Sequence, residues 1–251
     1  MDTAPSLAEL DTNDLEAGAT EIVLLIRERF PAGYWGGEAW WKMLLSAALL
    51  RMADTAEATL FLRPSGRDID AMSLLRSLLE QVITFAWIMA APEERSVLWQ
   101  EHARGQRLKA HNDLSRFGSP ILTDEEANED KGALELLDVA SRAQQADEYW
   151  QSRVAGLHPA GSLSSFRGLY ASVYRIGSRS VHGEATALDN YISEGDKPPY
   201  MVHAAIPDDR RRAYALVAPL LGVAAVLACR FMPMLDEGRI RSAVATATGR
   251  S

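Results

Sequence analysis

Apolar residues recur three and four residues apart along most of the chain, which is the spacing of one face of an α-helix. The alternation that is typical of strands is nearly absent. Glycine and proline clusters, of which residues 31–37 and 63–66 are examples, separate the periodic segments. The pattern therefore predicts an all-α protein, a single bundle of about seven helices. The predicted helices cover residues 13–30, 38–62, 69–90, 92–117, 123–150, 166–183 and a last segment that begins at Asp208 or Asp209.

Both ends of the chain fall outside the main helical pattern. We expect residues 1–12 to form a flexible lead-in, residues 13–238 to form one helical domain and residues 239–251 to be a polar tail. Pro219 is expected to bend the last helix and Pro233 to end it, because proline cannot donate a hydrogen bond inside a helix.

A long loop is predicted before the last helix, over residues 184–207. Pro198 and Pro199 exclude a helix there, and irregular loops of this length are often functional. A short hairpin is the alternative, through Tyr200, Val202 and Ala204.

The helix predicted over residues 69–90 combines an apolar face with a polar one. Arg76 and Glu80 are its only charged residues after Asp70, and their i, i+4 spacing suits an ion pair on their own helix. In so apolar a helix, a partly desolvated Glu80 would instead attract a cation from another element, for which Arg175 and Arg179 are the candidates. Both arrangements fit the sequence. The polar face consists of Ser73, Arg76, Ser77, Glu80 and Thr84.

Residues 166–183 hold the densest concentration of polar side chains in the chain. As a helix, they carry an apolar stripe for the core and a polar arc on roughly the opposite side, and Gly183 is placed to end the helix. The apolar stripe consists of Phe166, Leu169, Val173 and Ile176. The polar arc consists of Arg175, Ser178, Arg179 and His182, with Tyr170 and Tyr174 beside it.

Composition narrows the classes of function. The 251 residues are 47% hydrophobic, which is enough for a substantial core, and they carry a formal net charge of -8. A protein that coats DNA or an anionic membrane through its overall field is therefore excluded, and a phosphate ligand would need a local basic pocket. The single cysteine, Cys229, and the acidic start without a secretory signal pattern predict a cytoplasmic location.

Residues 213–229 form an uncharged segment of 17 residues, which is the lower limit for a membrane span. Arginines flank both of its ends, and Pro219 lies within it. A buried helix of the bundle is therefore favoured over a span.

No cofactor or metal site is predicted. The five histidines include no H-E-x-x-H pair and no E-x-x-H of the kind that di-iron bundles require. The chain also has no P-loop, no G-x-G-x-x-G and no G-x-S-x-G.

Arg175 and His182 have the chemistry that metal-independent cleavage of a phosphodiester needs. A histidine exchanges a proton near neutral pH, and an arginine binds a phosphate through two hydrogen bonds. A structural role for His182 near a helix end is the alternative. The sequence thus predicts Arg175 and His182 as candidate catalytic residues, and Arg76, Glu80, Tyr174, Ser178 and Arg179 as candidate binding or orienting residues.

The spacing of Arg175 and His182, R-x6-H, resembles the signature of the HEPN superfamily, helical proteins whose enzymatic members are metal-independent ribonucleases. Arg104 and His111 have the same spacing. The resemblance implies an RNA substrate, His182 as the acid or base at the ribose 2′-hydroxyl and Arg175 as the clamp on the transition state. It also implies a homodimer, since members of that superfamily commonly assemble the site across two such helices.

A broader set of motifs is similar to a family of bacterial helical proteins known only as a domain of unknown function. This resemblance implies a helical fold and a set of polar positions, but no reaction. It spans roughly residues 69–184. In chain order the motifs are R-S-L-L-E from Arg76 to Glu80, P-E-E-R from Pro92 to Arg95, Tyr170, Tyr174 with Arg175, and S-x-x-x-H-G from Ser178 to Gly183.

Two functions therefore stay open from the sequence. The first is a phosphate- or RNA-directed protein, for which a HEPN-like ribonuclease is the enzymatic form. The second is a non-enzymatic interaction or regulatory protein, in which the same arginine, glutamate and histidine cluster is a buried polar network that fixes helix packing.

Overall fold

The computed structural model describes residues 12–30, 39–62, 67–130, 137–150, 152–154, 157, 165–174, 192–193, 200–201 and 214–249. Over these residues the regular secondary structure is helical apart from one pair of very short strands, which confirms the predicted all-α class. The helices are α1 (Thr12–Arg29), α2 (Trp40–Leu62), α3 (Asp68–Ala90), α4 (Pro92–Ser115), α5 (Asp124–Glu129), α6 (Val139–Trp150), α7 (Phe166–Leu169), α8 (Val217–Ala228) and α9 (Glu237–Ala247). A π-helical turn, Tyr170–Tyr174, continues α7 directly.

The first four helices begin and end within two residues of their predicted positions. Pro92 lies in the first turn of α4, where its missing N–H has no intrahelical partner to lose. The chain turns after α4 at Gly118, whose φ of 75° favours glycine. The hydrophobic pattern and the glycine and proline residues between the helices were thus sufficient to predict the bounds of α1 to α4.

The helix predicted over residues 123–150 is two helices, so this prediction was wrong. Its start is confirmed, because Glu126 N donates to Thr123 Oγ1 at 3.2 Å and Thr123 N donates to Glu126 Oε2 at 2.9 Å. However, α5 ends at Glu129, and Asp138 begins α6 by accepting a hydrogen bond from Ser141 N at 2.8 Å. Asp138 thus supplies a second helix start inside the segment that was predicted as one helix.

The centre of the bundle is α3, which packs against α2, α4, α6 and α8. Every residue of α8 is buried, and its 12 residues are too few to cross a membrane. In the described part of the chain, one helix is long and apolar enough for a span, Asp70–Ala90, and 61% of its most apolar window is buried inside the protein. Both α3 and α8 therefore pack as core helices of the bundle.

The C-terminal residues differ from the predicted polar tail, because residues 237–247 form α9, which packs against α1 and α8. This helix buries Ile240, Ala243, Val244 and Ala247, a stripe at i, i+3, i+4 and i+7 that is made mostly of small residues. Gly18 of α1 lies so close to Ala243 and Ala247 that a Cβ there would collide with them.

Pro219 does not bend the last helices. It lies in the first turn of α8, where proline is tolerated. Pro233 lies in the turns between α8 and α9, so a helix does end before it.

The two strands come from the predicted loop and form an antiparallel pair. β1 (Ile192–Ser193) pairs with β2 (Tyr200–Met201), with Ile192 opposite Met201 and Ser193 opposite Tyr200. Tyr200 is thus part of a strand pair, as the hairpin alternative expected. Val202 and Ala204 lie outside the described residues.

Candidate functional site

The polar face of α3 is organised around an ion pair between Arg76 and Glu80. Arg76 Nη2 lies 3.2 Å from Glu80 Oε1, and the two side chains are 18% and 35% exposed. One turn further along, Thr84 Oγ1 donates to the backbone carbonyl of Glu80 at 2.7 Å. The i, i+4 ion pair, one of the two arrangements that fit the sequence, is therefore present; Arg175 and Arg179, the candidates for the other, lie outside the described residues.

Tyr174 packs against this face from the π-helical turn. Arg76 Nη2 donates to the Tyr174 hydroxyl at 2.9 Å, and the guanidinium carbon lies 4.3 Å from the centroid of the same ring. Tyr170 stacks on Tyr174 with the ring centroids 4.5 Å apart. A guanidinium over a tyrosine ring is attracted by the negative face of that ring. These contacts bring Tyr174, Arg76 and Glu80 into one cluster.

The segment that carries Tyr174 is anchored at its start by a side chain of α6. The Asp147 carboxylate accepts hydrogen bonds from Phe166 N at 2.8 Å and from Arg167 N at 3.1 Å. Burial raises the pKa of Asp147, and the two N–H groups oppose this effect. Asp147 therefore acts as a cap for a short helix that leads directly into a π-helical turn, and such turns are frequent at functional sites.

Among the described residues, a cation that approaches Glu80 from another helix is Arg142 of α6. Its Nη1 donates to Thr84 Oγ1, while its Nε is buried and has no hydrogen-bond partner among the described residues. Burial lowers the pKa of Arg142, and attraction to Glu80 and Asp138 opposes this effect. The described carboxylates all lie more than 4.0 Å from the Arg142 guanidinium.

A cleft of about 390 Å³ opens beside Arg142, between α2, α3, α4 and α6. Its charged lining consists of two guanidinium groups, those of Arg51 and Arg142, against one carboxylate, that of Glu80. The remaining walls combine hydrogen-bonding and apolar side chains. These are Ser77, Gln81, Thr84 and His102, with Ala48, Met52, Phe85, Ile88 and Trp99.

The second R-x6-H pair, Arg104 and His111, has a structural role. Arg107 donates two hydrogen bonds to Asp130, at 2.9 Å and 3.1 Å, and Arg104 Nε lies 3.3 Å from the same carboxylate, which is fully buried. His111 is 8% exposed, and its Nδ1 accepts a hydrogen bond from Leu122 N at 3.1 Å. These side chains fasten the end of α5 and the preceding loop to α4.

The other predicted site residues, Arg175, Ser178, Arg179 and His182, lie outside the described residues. Three members of the predicted cluster, Arg76, Glu80 and Tyr174, are brought together. In the part of the chain that the structure describes, no group of three or more His, Cys, Asp or Glu side chains could hold a metal ion.

Sequence reasoning missed Arg142 and Trp99, although Arg142 left a weak signal. It immediately precedes Ala143, which begins the buried stripe of α6 with Ala146 and Trp150. A charged residue at the edge of an apolar stripe is a candidate for partial burial. Trp99 gave no such signal, because α4 is polar over most of its length.

Residues 42–198 match a family described as "Family of unknown function (DUF5677)". The match covers more than half of the chain, so the chain belongs to this family, and the predicted membership of a family of unknown function is confirmed. All residues that line the cleft lie within the matched segment. Comparison with curated proteins found no match, and neither did comparison with solved structures.

Proposed function

We propose that this family member binds a phosphate-bearing ligand in the cleft, with Arg142 as the principal contact. The observation that carries the proposal is Arg142 itself, which lines the cleft and whose buried Nε donor has no described partner. Buried donors in folded proteins are nearly always satisfied. If the side chain turns this edge of the guanidinium into the cleft, a phosphate can satisfy the donor through two parallel hydrogen bonds.

The charges around the cleft support an anion rather than a cation. Glu80 is the carboxylate nearest to Arg142 along the wall, but it already pairs with Arg76 at 3.2 Å. The cleft lining therefore keeps a positive excess in a protein whose formal net charge is -8. This is the local basic pocket that a phosphate ligand needs in an acidic protein.

A HEPN-like ribonuclease is the enzymatic form of this proposal. Arg175 and His182 would then supply the clamp and the proton transfer at a phosphodiester. The contact of Tyr174 with Arg76 supports it, because Tyr174 immediately precedes Arg175 and lies on the same polar face of α3 as the cleft. Loss of RNA cleavage in both Arg175→Ala and His182→Ala, with unchanged melting temperatures, would support this form.

A second candidate function is that of a non-enzymatic interaction protein with a structural polar network. The ion pair of Arg76 with Glu80 and the hydrogen bond to Tyr174 favour it, since these groups satisfy one another. The two candidates use overlapping parts of the polar face of α3. The network lies at its N-terminal end, and the cleft runs from Ser77 to Ile88, so Glu80 belongs to both.

Thermal unfolding in phosphate tests the proposal. At matched ionic strength, sodium phosphate should raise the Tm of the wild-type protein above its value in sodium chloride. Saturation at about a hundred times the Kd corresponds to about 2.7 kcal/mol of stabilisation, or several degrees. Arg142→Gln should lose this gain. Arg116→Gln is the matched control, because Arg116 is 77% exposed and should keep it.

Two results would contradict the proposal. One is a wild-type Tm that is equal in phosphate and chloride. The other is an Arg142→Gln variant that gains as much as the wild type. A parallel series in sodium acetate tests whether the site prefers phosphate to a carboxylate. Stabilisation by acetate as strong as that by phosphate would indicate a site for organic acids instead.

A further inference from the structure

Arg51 of α2 is the other arginine that lines the cleft, and a neighbouring contact sets its level along α3. Gln81 of α3 donates to Thr55 Oγ1 of α2 at 3.4 Å. The two helices are separated only by residues 63–67 and pack against each other, so they run in opposite directions. Arg51 comes one turn before Thr55 and therefore lies about 6 Å beyond Gln81, at the level of Phe85.

Arg142 of α6 lies at the same level. Its Nη1 donates to Oγ1 of Thr84, the residue before Phe85. Three residues further along both helices, Trp87 Nε1 donates to Gln145 Oε1 at 2.8 Å, so α6 runs in the same direction as α3. Both α2 and α6 pack on α3. Their two arginines therefore line the cleft at one level, from two different helices.

The walls of the cleft at this level are apolar. Arg95 of α4 donates to the backbone carbonyl of Trp87 at 2.7 Å, so Trp99, one turn further along α4, lies at the level of Thr84. Met52 of α2 is fully buried and lines the same part of the cleft. Apolar walls exclude water, and opposite charges attract each other more strongly where water is excluded.

Neither arginine is neutralised by a carboxylate of the described residues. The Arg51 side chain makes no hydrogen bond or ion pair with these residues, and the Arg142 guanidinium lies more than 4.0 Å from their carboxylates. Glu80, a carboxylate in the cleft lining, pairs with Arg76. Two positive charges that line one cavity repel each other, and an anion between them replaces this repulsion by two attractions.

We infer that the cleft takes a phosphate monoester, with its terminal phosphate between Arg51 and Arg142. A monoester carries a charge of about −1.5 to −2 at pH 7 and has three acceptor oxygens, which is enough for two guanidinium groups. A phosphodiester carries a single negative charge. This inference rests on the proposed phosphate site, to which it adds Arg51 as a second contact and the class of phosphate. A terminal phosphate is therefore favoured over an internal diester of an RNA strand.

Isothermal titration calorimetry with inorganic phosphate, methyl phosphate and dimethyl phosphate tests the inference, at about pH 7 and constant ionic strength. The wild-type protein should bind methyl phosphate about tenfold more tightly than dimethyl phosphate. Arg51→Gln should weaken the binding of methyl phosphate about tenfold and that of dimethyl phosphate about twofold, so most of the preference is lost. Arg51→Lys, which keeps the charge and loses the planar fork, should retain part of it.

The matched control is Arg116→Gln, which removes the same charge from an arginine that is 77% exposed and does not line the cleft. It should keep the wild-type affinities. Arg51→Gln should keep the wild-type Tm, because Arg51 is exposed and its side chain has no partner among the described residues. Weaker binding by this variant then reports the loss of a ligand contact and not a loss of fold.

Three results would count against the inference. Equal affinities of the wild-type protein for the two esters, or binding of inorganic phosphate alone, would overturn it and leave the proposed phosphate site standing. An Arg51→Gln variant with the wild-type preference would overturn the role of Arg51. Absence of binding by all three compounds would overturn both the inference and the proposed function.

Discussion

Arg76 and Tyr174 are 98 residues apart in the chain, yet the Arg76 guanidinium donates to the Tyr174 hydroxyl at 2.9 Å and covers its ring at 4.3 Å. Arg76 Nε is buried and has no partner among the described residues, so Tyr174 and Glu80 are the groups that hold this guanidinium. The contact fastens the π-helical turn to α3. It also fixes where the chain enters the segment that begins at Arg175.

Replacing Tyr174 by phenylalanine should destabilise the protein by about 1 kcal/mol, because it leaves one donor of Arg76 without its acceptor and keeps the ring. Tyr174→Ala should cost more, about 3 kcal/mol, since the ring contact with Tyr170 and the guanidinium is also lost. Urea denaturation measures both changes. Tyr170→Phe is the control and should stay within about 0.5 kcal/mol of the wild type. Equal losses for Tyr170→Phe and Tyr174→Phe would show that the hydroxyl contact does not stabilise the fold.

Glu80→Gln should change stability and ligand binding in opposite directions. The variant loses the ion pair with Arg76, and because Glu80 is 35% exposed the cost should be about 1 kcal/mol. Removing a negative charge near Arg142 should at the same time strengthen phosphate binding, by about threefold. Urea denaturation and calorimetry give the two values. A variant that binds phosphate more weakly than the wild type would place the anion away from Arg142.

The polar face of α3 shows what the sequence could predict. In an apolar helix, Arg76, Glu80 and Thr84 stand out at a spacing of four residues, and such charged positions need partners wherever the helix packs. Their own ion pair is a local property and could be read from the spacing. The position of Arg142 could not, because Arg142 reaches Thr84 only through the packing of α6 on α3.

Helix α9 was missed for a different reason. Its buried stripe contains Ala243 and Ala247, whose small side chains hardly distinguish a core face from a solvent-exposed one. They are buried because Gly18 lets α1 approach closely. This complementarity between distant segments is invisible when each segment is read alone.

Asp130 provides a test of the structural role assigned to Arg104. Its fully buried carboxylate binds Arg107 and Arg104, so Asp130→Ala should destabilise the protein by about 2 to 4 kcal/mol. Asp113→Ala is the control, because Asp113 is 60% exposed and lies 3.5 Å from Arg116, and it should cost less than about 0.5 kcal/mol. Thermal unfolding compares the two variants. Similar small losses in both would refute the structural assignment of this R-x6-H pair.

The pH dependence of stability should reveal Asp147. Burial raises its pKa in the folded protein, so its contribution to stability is complete below about pH 3.9, the unfolded value, and is lost as the pH rises through the folded-state pKa. The Asp147→Asn variant has no carboxyl group to titrate at this position, so it does not lose this contribution to stability as the pH rises. Its stability deficit relative to the wild type should therefore be largest in acid and should narrow as the pH rises.

Asp138→Asn is the matched control with the opposite sign. The hydrogen bond from Ser141 N lowers the pKa of Asp138, so its contribution is present above the unfolded pKa and is lost as the pH falls. The deficit of this variant should widen as the pH rises. Urea denaturation from about pH 3 to about pH 7 gives both curves. Two curves with the same slope would contradict the account of how Asp147 caps α7.

The most direct test of the central claim is the ¹⁵N resonance of the Arg142 Nε–H group during a titration with phosphate. Comparison with Arg142→Gln assigns the signal, since it is absent from the spectrum of that variant. We expect the Arg142 signal to shift progressively and to saturate, while that of the exposed Arg116 moves little at constant ionic strength. An Arg142 signal that stays in place while phosphate is added, or that moves no more than that of Arg116, would contradict the claim that this guanidinium binds the anion.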